Sequence, residues 1–228
     1  MMNNLTKRQQ AILSVCKKSE KTVDVGCDHG YIGVNLLKTN KTKFLIATDI
    51  SAPSAKKTEK LLKESNLSSK ASVRVGDGLE TIKSGEIVDQ VIIAGMGGKE
   101  IIHILSSFKN TKNIKHIVLQ PMNELLSVRK YLSENQLKIK KDIVFFDKKF
   151  YHIITVSQGN SPISLFKQKW GAKTKDRNKD YFLWIKHKEE KIIKILSGIK
   201  STNEKYKIFM SCLNDIKKIK ATKGAKTC

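Results

Sequence analysis

The sequence predicts an α/β protein. A Rossmann-like, mostly parallel sheet with an antiparallel hairpin at its edge is followed by a coiled-coil-like α-helical domain. Three observations carry this. Short apolar runs at residues 22–25, 44–47, 72–75, 90–94 and 115–120 alternate with stretches of helical period, the mark of βαβ units. Two further runs, 140–146 and 150–156, are separated only by Asp147, Lys148 and Lys149. That is too short for a crossover, so the two runs pair antiparallel. Beyond residue 159 the chain turns lysine-rich and helical in period.

In chain order, residues 5–17 read as an amphipathic helix with Leu5, Gln9, Ile12 and Val15 or Cys16 on one face and Thr6 as N-cap. The first strand then runs into the glycine-bearing turn Gly26-Cys27-Asp28-His29-Gly30 and a helix begins near Tyr31. The next four strands each end in a polar or glycine-rich turn, and the hairpin follows. Residues 157–162, with Gly159 and Pro162, form a linker between expected domains 1–159 and 160–228. Further on, Ile185, Ile192, Leu196, Ile199, Tyr206, Met210 and Leu213 keep a seam in which Glu189 and Asn203 are the polar members. This predicts one long helix whose narrow seam can pair with a second helix near residues 163–170 or with a partner protein, the two polar members favouring a hairpin over an extended coiled coil.

Composition narrows the function. The 228 residues include 44 Lys and Arg against 21 Asp and Glu, a net charge of +23, which points to a polyanionic partner. After Gly159, 18 basic and 6 acidic side chains give a net of +12; before it, 26 and 15 give +11. The shorter C-terminal part is therefore the denser in charge. Cys16, Cys27, Cys212 and Cys228 lie far apart, with no CxxC spacing and no clustered histidines, so reduced structural thiols are expected and no metal site. No apolar run reaches membrane-span length and the first ten residues lack the apolar centre of a signal peptide, which predicts a soluble cytoplasmic protein with no membrane partner.

The chemistry sits in the turns. A carboxylate at Asp28, where GxGxxG has its second glycine, would repel a pyrophosphate, so NAD and FAD are disfavoured and a cationic sulfonium ligand suits Asp24 and Asp28. Asp49 ends the second strand at the distance where a carboxylate accepts from both ribose hydroxyls. Asp77, in Gly76-Asp77-Gly78, can accept the exocyclic amine of an adenine. Each acid alone reads as a loop or capping residue. Three at the ends of three successive strands mark the ligand edge of a doubly wound sheet. The fourth strand ends in Ala94-Gly95-Met96-Gly97-Gly98, an excess of glycine that predicts close approach of backbone to a ligand. The fifth ends in Gln120-Pro121-Met122-Asn123, a rigid turn with amides able to read a base edge.

These motifs together resemble the bacterial tRNA adenine-N1 methyltransferases that modify adenine 22 in the D-arm. The resemblance rests on Leu5-Thr6-Lys7-Arg8, the segment from Asp24 to Tyr31, Val73-Arg74-Val75-Gly76-Asp77-Gly78-Leu79, Ile93 to Gly98 and Leu119-Gln120-Pro121. It extends to Arg129, to Lys149-Phe150-Tyr151 with Ile153-Ile154, and to the stretch from Trp170-Gly171 to Lys175-Asp176. It departs at Cys27, Gly30 and Gly33, where Ser, Ala and Pro are expected, and at Met122, where Asn is expected.

The resemblance implies a class I methyltransferase fold, S-adenosylmethionine as cofactor and tRNA as partner. It implies cofactor contacts from Asp24, Gly26, Asp28, Asp49, Ile50, Asp77, Gly78, Ala94 and Gly95. Catalytic roles fall to Asp28, His29, Tyr31, Gly95 and Met96, and substrate contacts to Arg8, Gln120, Pro121, Arg129, Lys149 and Tyr151. For His29 and Tyr31, capping or packing is the competing reading. For the whole chain the competing readings are a methyltransferase for another substrate and a non-catalytic RNA-binding protein on a degenerate Rossmann core.

Overall fold

The computed structural model describes residues 5–107, 114–171 and 174–224; Cys228 lies outside them. Helix α1 (Lys7–Val15) opens with Thr6 as N-cap. The Thr6 hydroxyl accepts the Gln9 N–H at 3.2 Å while the Gln9 side chain accepts the Thr6 N–H at 2.9 Å, so two otherwise unpaired helix donors are satisfied reciprocally. The alternation then unfolds as expected: β1 (Ser19–Val25), α2 (Tyr31–Lys38), β2 (Thr42–Asp49), α3 (Ala52–Glu64), β3 (Ala71–Val75), β4 (Gln90–Met96), α4 (Gly98–Ser107), β5 (His116–Pro121) and α5 (Leu125–Glu134). The expected hairpin is β6 (Leu137–Asp147) and β7 (Lys149–Gln158), turning at Lys148 with φ 60°.

The seven strands lie in the order β3-β2-β1-β4-β5-β7-β6. The first five are parallel, and β7 is antiparallel to β5 with Leu119 opposite Ile154. The order reverses at β1 and β4, the switch point beside which doubly wound sheets bind ligands. Strand residues feed opposite faces at period two. Leu45 and Ala47 pack with Val34, Leu37 and Leu62 of α2 and α3, while Ile46 joins Ile93, Ile104 and Val128 on the other face.

The chain divides into two compact units. One comprises Met1–Asp142 and Tyr151–Lys173, the other Ile143–Phe150 and Thr174–Cys228. The boundary expected at residue 159 is displaced in both directions. Helix α6 (Leu165–Trp170) stays with the sheet, because Trp170 is buried, the Ile163 N–H donates to the Ser133 hydroxyl at 2.9 Å, and Arg129 donates to the Gln168 carbonyl at 3.1 Å. The hairpin tip goes with the helices, where the Phe146 N–H donates to the Asp180 carboxylate at 3.0 Å and the Asn178 amide donates to the Val144 carbonyl at 2.9 Å.

The long helix expected from the seam is in fact two, α7 (Lys179–Ser197) and α8 (Glu204–Gly224), packed on one another. The partner of α7 is therefore α8, and α6 is not part of the hairpin. Both polar seam residues have a structural use. Asn203 stands just before α8 and accepts the Lys205 N–H at 2.9 Å, and Glu189 pairs across with Lys220. Gly198 ends α7 by donating its N–H to the Ile195 carbonyl. Among the described residues no helix is long and apolar enough to cross a membrane.

Candidate functional site at the carboxyl edge of the sheet

The turn after β1 is fixed by backbone geometry. Gly26 adopts φ +67°, and a Cβ there would sit 2.1 Å from the Met96 methyl, so no other residue fits without displacing Met96. Asp28 is itself left-handed, at φ 43°. Its N–H donates to one Asp49 oxygen at 3.0 Å, and the Ser51 N–H donates to the other at 2.9 Å. Asp49 is thus locked in place by two backbone donors, with lone pairs left on both oxygens.

Asp24, at the end of β1, is 4% exposed. Burial pushes its carboxyl up to about 7, opposed by the Gly33 N–H and reinforced by the negative charge of Asp49. Among the described residues no cation pairs with it. Asp28 is exposed and ringed by Lys57 at 3.6 Å, the Ser54 hydroxyl at 3.5 Å and His29 at 3.7 Å. The His29 and Tyr31 rings stack at 5.5 Å, only 11° from parallel, beside the turn.

At the next two strand ends, Ile50 stands 75% exposed beside Asp49. Asp77 follows β3 with His103 at 3.6 Å, and the Gly78 carbonyl accepts the buried Thr48 hydroxyl at 3.2 Å. Sequence reasoning missed Thr48, His103 and Thr58, whose hydroxyl donates to the Asp28 carbonyl at 2.8 Å. Thr48 adjoins Asp49 in sequence, but a threonine inside a strand carries no signal that its hydroxyl ties two strand ends together.

The fourth and fifth strand ends revise an expectation. The glycines after Ala94 are demanded at least partly by the protein itself. A Cβ on Gly95, at φ +81°, would come within 2.9 Å of the Arg8 guanidinium, and one on Gly98 within 2.9 Å of the Asn123 carbonyl oxygen. The amides after β5 are likewise committed. Gln120 is fully buried, accepting from Arg8 at 3.1 Å and donating to the Pro121 carbonyl at 3.1 Å. Pro121 is buried as well. Asn123 accepts the Gly98 N–H at 2.8 Å, capping α4. Gln120 therefore does not read a base; it seats Arg8, half-buried, over Gly95 at the end of β4.

Arg129 is a correction. It is 1% exposed and forms a two-pronged ion pair with Asp142, at 2.9 and 3.0 Å, while its remaining donors reach the Gln168 carbonyl and His152. Its guanidinium bolts α5, β6 and α6 together and has no face left for substrate. Tyr151 lies on β7 just before Ile154–Val156, the residues that pair with β5, whereas Lys149 belongs to the helical unit.

Comparison with known proteins agrees with this arrangement. The family described as a methyltransferase domain matches residues 5–154. The tRNA (adenine(22)-N(1))-methyltransferase of Bacillus subtilis is 32% identical over 158 residues, 68% of this chain, which spans just under two thirds of that relative, 66%. A structure from Streptococcus agalactiae, described as a protein in the NADB-Rossmann superfamily, superposes with a TM-score of 0.89 at 27% identity over 95% of this chain and 97% of that one. A Streptococcus pneumoniae structure, provisionally assigned as a tRNA (m1A22) methyltransferase, gives 0.89 at 25% identity over 94% and 99%. The family match takes in α1, which seats Arg8, and every strand end that carries an acid, and on that extent the chain belongs to the methyltransferase-domain family.

Proposed function

We propose that this protein is a cytoplasmic, S-adenosylmethionine-dependent tRNA methyltransferase that methylates N1 of adenine 22 in the D-arm. The observation that carries the cofactor is Asp24. It is a buried carboxyl that pairs with no cation among the described residues, beside a turn lined by further acids, and such a site suits a cationic ligand and repels a pyrophosphate. The donor set fits the rest of the molecule. The fixed Asp49 oxygens accept two ribose hydroxyls, the exposed Ile50 covers an apolar base face, and Asp77 accepts an exocyclic amine beside Gly78. Gly26, Ala94 and Gly95 line the turns with backbone. When bound, the cofactor supplies an electrophilic methyl on a positively charged sulfur.

Adenine N1 carries a neutral in-plane lone pair, so the protein's task is alignment rather than deprotonation, and positioning supplies several kcal/mol. In a paired or stacked D-arm that edge is hidden, so the base must leave the stack and be held on another flat surface. The stacked His29–Tyr31 pair offers one. Methylation makes the base cationic, and the exposed Asp28 carboxylate stabilises charge as it develops. Met96, folded against Gly26, shapes the turn, and Arg8 presents a cation at the same edge for a substrate phosphate.

tRNA as substrate is supported by the name of the Bacillus subtilis relative and by the +12 net charge after Gly159. The helical unit itself, Ile143–Phe150 with Thr174–Cys228, holds 17 basic and 7 acidic side chains, a net of +10, which suits it to phosphate contacts that position a substrate without reading its sequence. Nucleoside mass spectrometry of tRNA incubated with protein and S-adenosylmethionine tests the proposal. The expected product is 1-methyladenosine. Methylation of another nucleoside, or none despite cofactor binding, would overturn the reading.

A further inference from the structure

We propose that Phe146, Phe150 and His187 in the helical unit form a stacking platform for an unpaired base of RNA. The inference rests on the tRNA-methyltransferase reading and adds a contact to it. The three rings are contiguous, Phe146 to Phe150 at 5.0 Å and Phe150 to His187 at 5.6 Å between centroids. Phe146 is nevertheless 48% exposed, and His187 is exposed too. A single exposed phenylalanine needs no explanation. This one sits on a backbone tied to the start of α7 by two hydrogen bonds. The Phe146 N–H donates to Asp180 at 3.0 Å, and the Val144 carbonyl accepts from Asn178 at 2.9 Å. A rigid, uncovered aromatic surface loses little entropy on taking a flat partner.

Charge selects the occupant. Lys148 stands exposed at the turn between the two phenylalanines, and Lys191 and Lys194 follow His187 along α7 at four and seven residues, on one face and in solvent. The acids on that stretch of α7 are engaged. Asp180 takes the Phe146 N–H, Glu189 pairs with Lys220, and Glu190 pairs with Lys186 at 3.9 Å. Rings bordered by ammonium groups suit a base joined to phosphates, whereas a protein partner would require an apolar or acidic complement.

The test is binding of an unmodified tRNA transcript, by fluorescence anisotropy over a range of salt, to the full-length wild type and to Phe146→Ala, Phe146→Leu and Phe146→Trp. The expected result is an affinity roughly tenfold lower or more for Ala. Leu, which keeps apolar bulk but not the π face, should lose affinity too, Trp should restore it, and the salt slope should stay at its wild-type value because no charge is removed. Melting curves and S-adenosylmethionine binding report the fold. If Ala unfolds, Leu against Trp still decides. Leu or Ala binding as tightly as wild type overturns the platform while leaving tRNA methylation intact. Wild type failing to bind tRNA overturns the methyltransferase reading and the platform with it.

Discussion

The acidic edge of the sheet and the basic helical unit are ordered in opposite ways. At the edge, polar groups are fixed one at a time: Asp49 by two backbone N–H groups, Arg8 by Gln120, and Asn123 by the first turn of α4. On α7 the lysines stand in solvent, and ion pairs such as Lys186 with Glu190 are long and exposed. A small ligand is gripped by a few immobile groups, since a displacement of one ångström costs catalysis dearly. A polyanion is gathered by charge density, for which no single lysine need be held. Arginine separates the two modes within the first region itself, since Arg8 is presented at the edge and Arg129 is consumed by the frame.

The comparison breaks most visibly at Arg129. Arg129→Ala breaks a buried, two-pronged ion pair with Asp142, and such losses cost about 3–5 kcal/mol, so chemical denaturation is expected to show a protein close to unfolding. A variant of wild-type stability that had lost tRNA affinity would return Arg129 to the substrate site. Asp49→Ala is expected to weaken S-adenosylmethionine binding by about 1–3 kcal/mol, the scale of charge-assisted hydrogen bonds. Calorimetry should find this with tRNA affinity unchanged; loss of both would mean that the edge and the helices do not act separately.

Asp24 sharpens the same contrast through pH. Its carboxyl is pushed up from 3.8 to about 7, so only above about 7 is it mainly the anion that attracts a cation. Cofactor affinity should therefore fall as pH drops below 7, approaching tenfold per unit if the charge dominates, as titration calorimetry from pH 5.5 to 8.5 would detect. Without ligand the sign is opposite. The native state holds this proton where the unfolded chain has released it, so the contribution of Asp24 to stability is present below 3.8 and is lost as pH rises through about 7. A pH-independent cofactor affinity would remove the charged role of Asp24. The smallest effect belongs to the helices. Lys191→Ala with Lys194→Ala should lower the salt slope of tRNA binding by roughly 0.7 to 0.9 per lysine, with cofactor affinity intact.

What was legible in the sequence follows the same division. Every strand, the hairpin and the acids at the strand ends were readable, because period-two burial and turn chemistry are local. The use of the glycines after Ala94 was not, since Arg8 and Asn123, which crowd them, come from distant segments. Arg129 read as a substrate contact because its partner Asp142 announces nothing in sequence. The break between α7 and α8 was hidden by the seam itself, in which Ile199 and Tyr206 stay seven residues apart across Asn203. The domain boundary was misplaced because hydrogen bonds, rather than linker composition, assign α6 to the sheet and the hairpin tip to the helices.

The most direct test compares two transcripts, a tRNA with adenine at position 22 and the same tRNA with guanine there, each incubated with the protein and S-adenosylmethionine labelled on its methyl group. The account predicts close to one methyl per adenine-bearing molecule, a primer-extension stop at that position, and no label in the guanine transcript. Equal labelling of the two would contradict it.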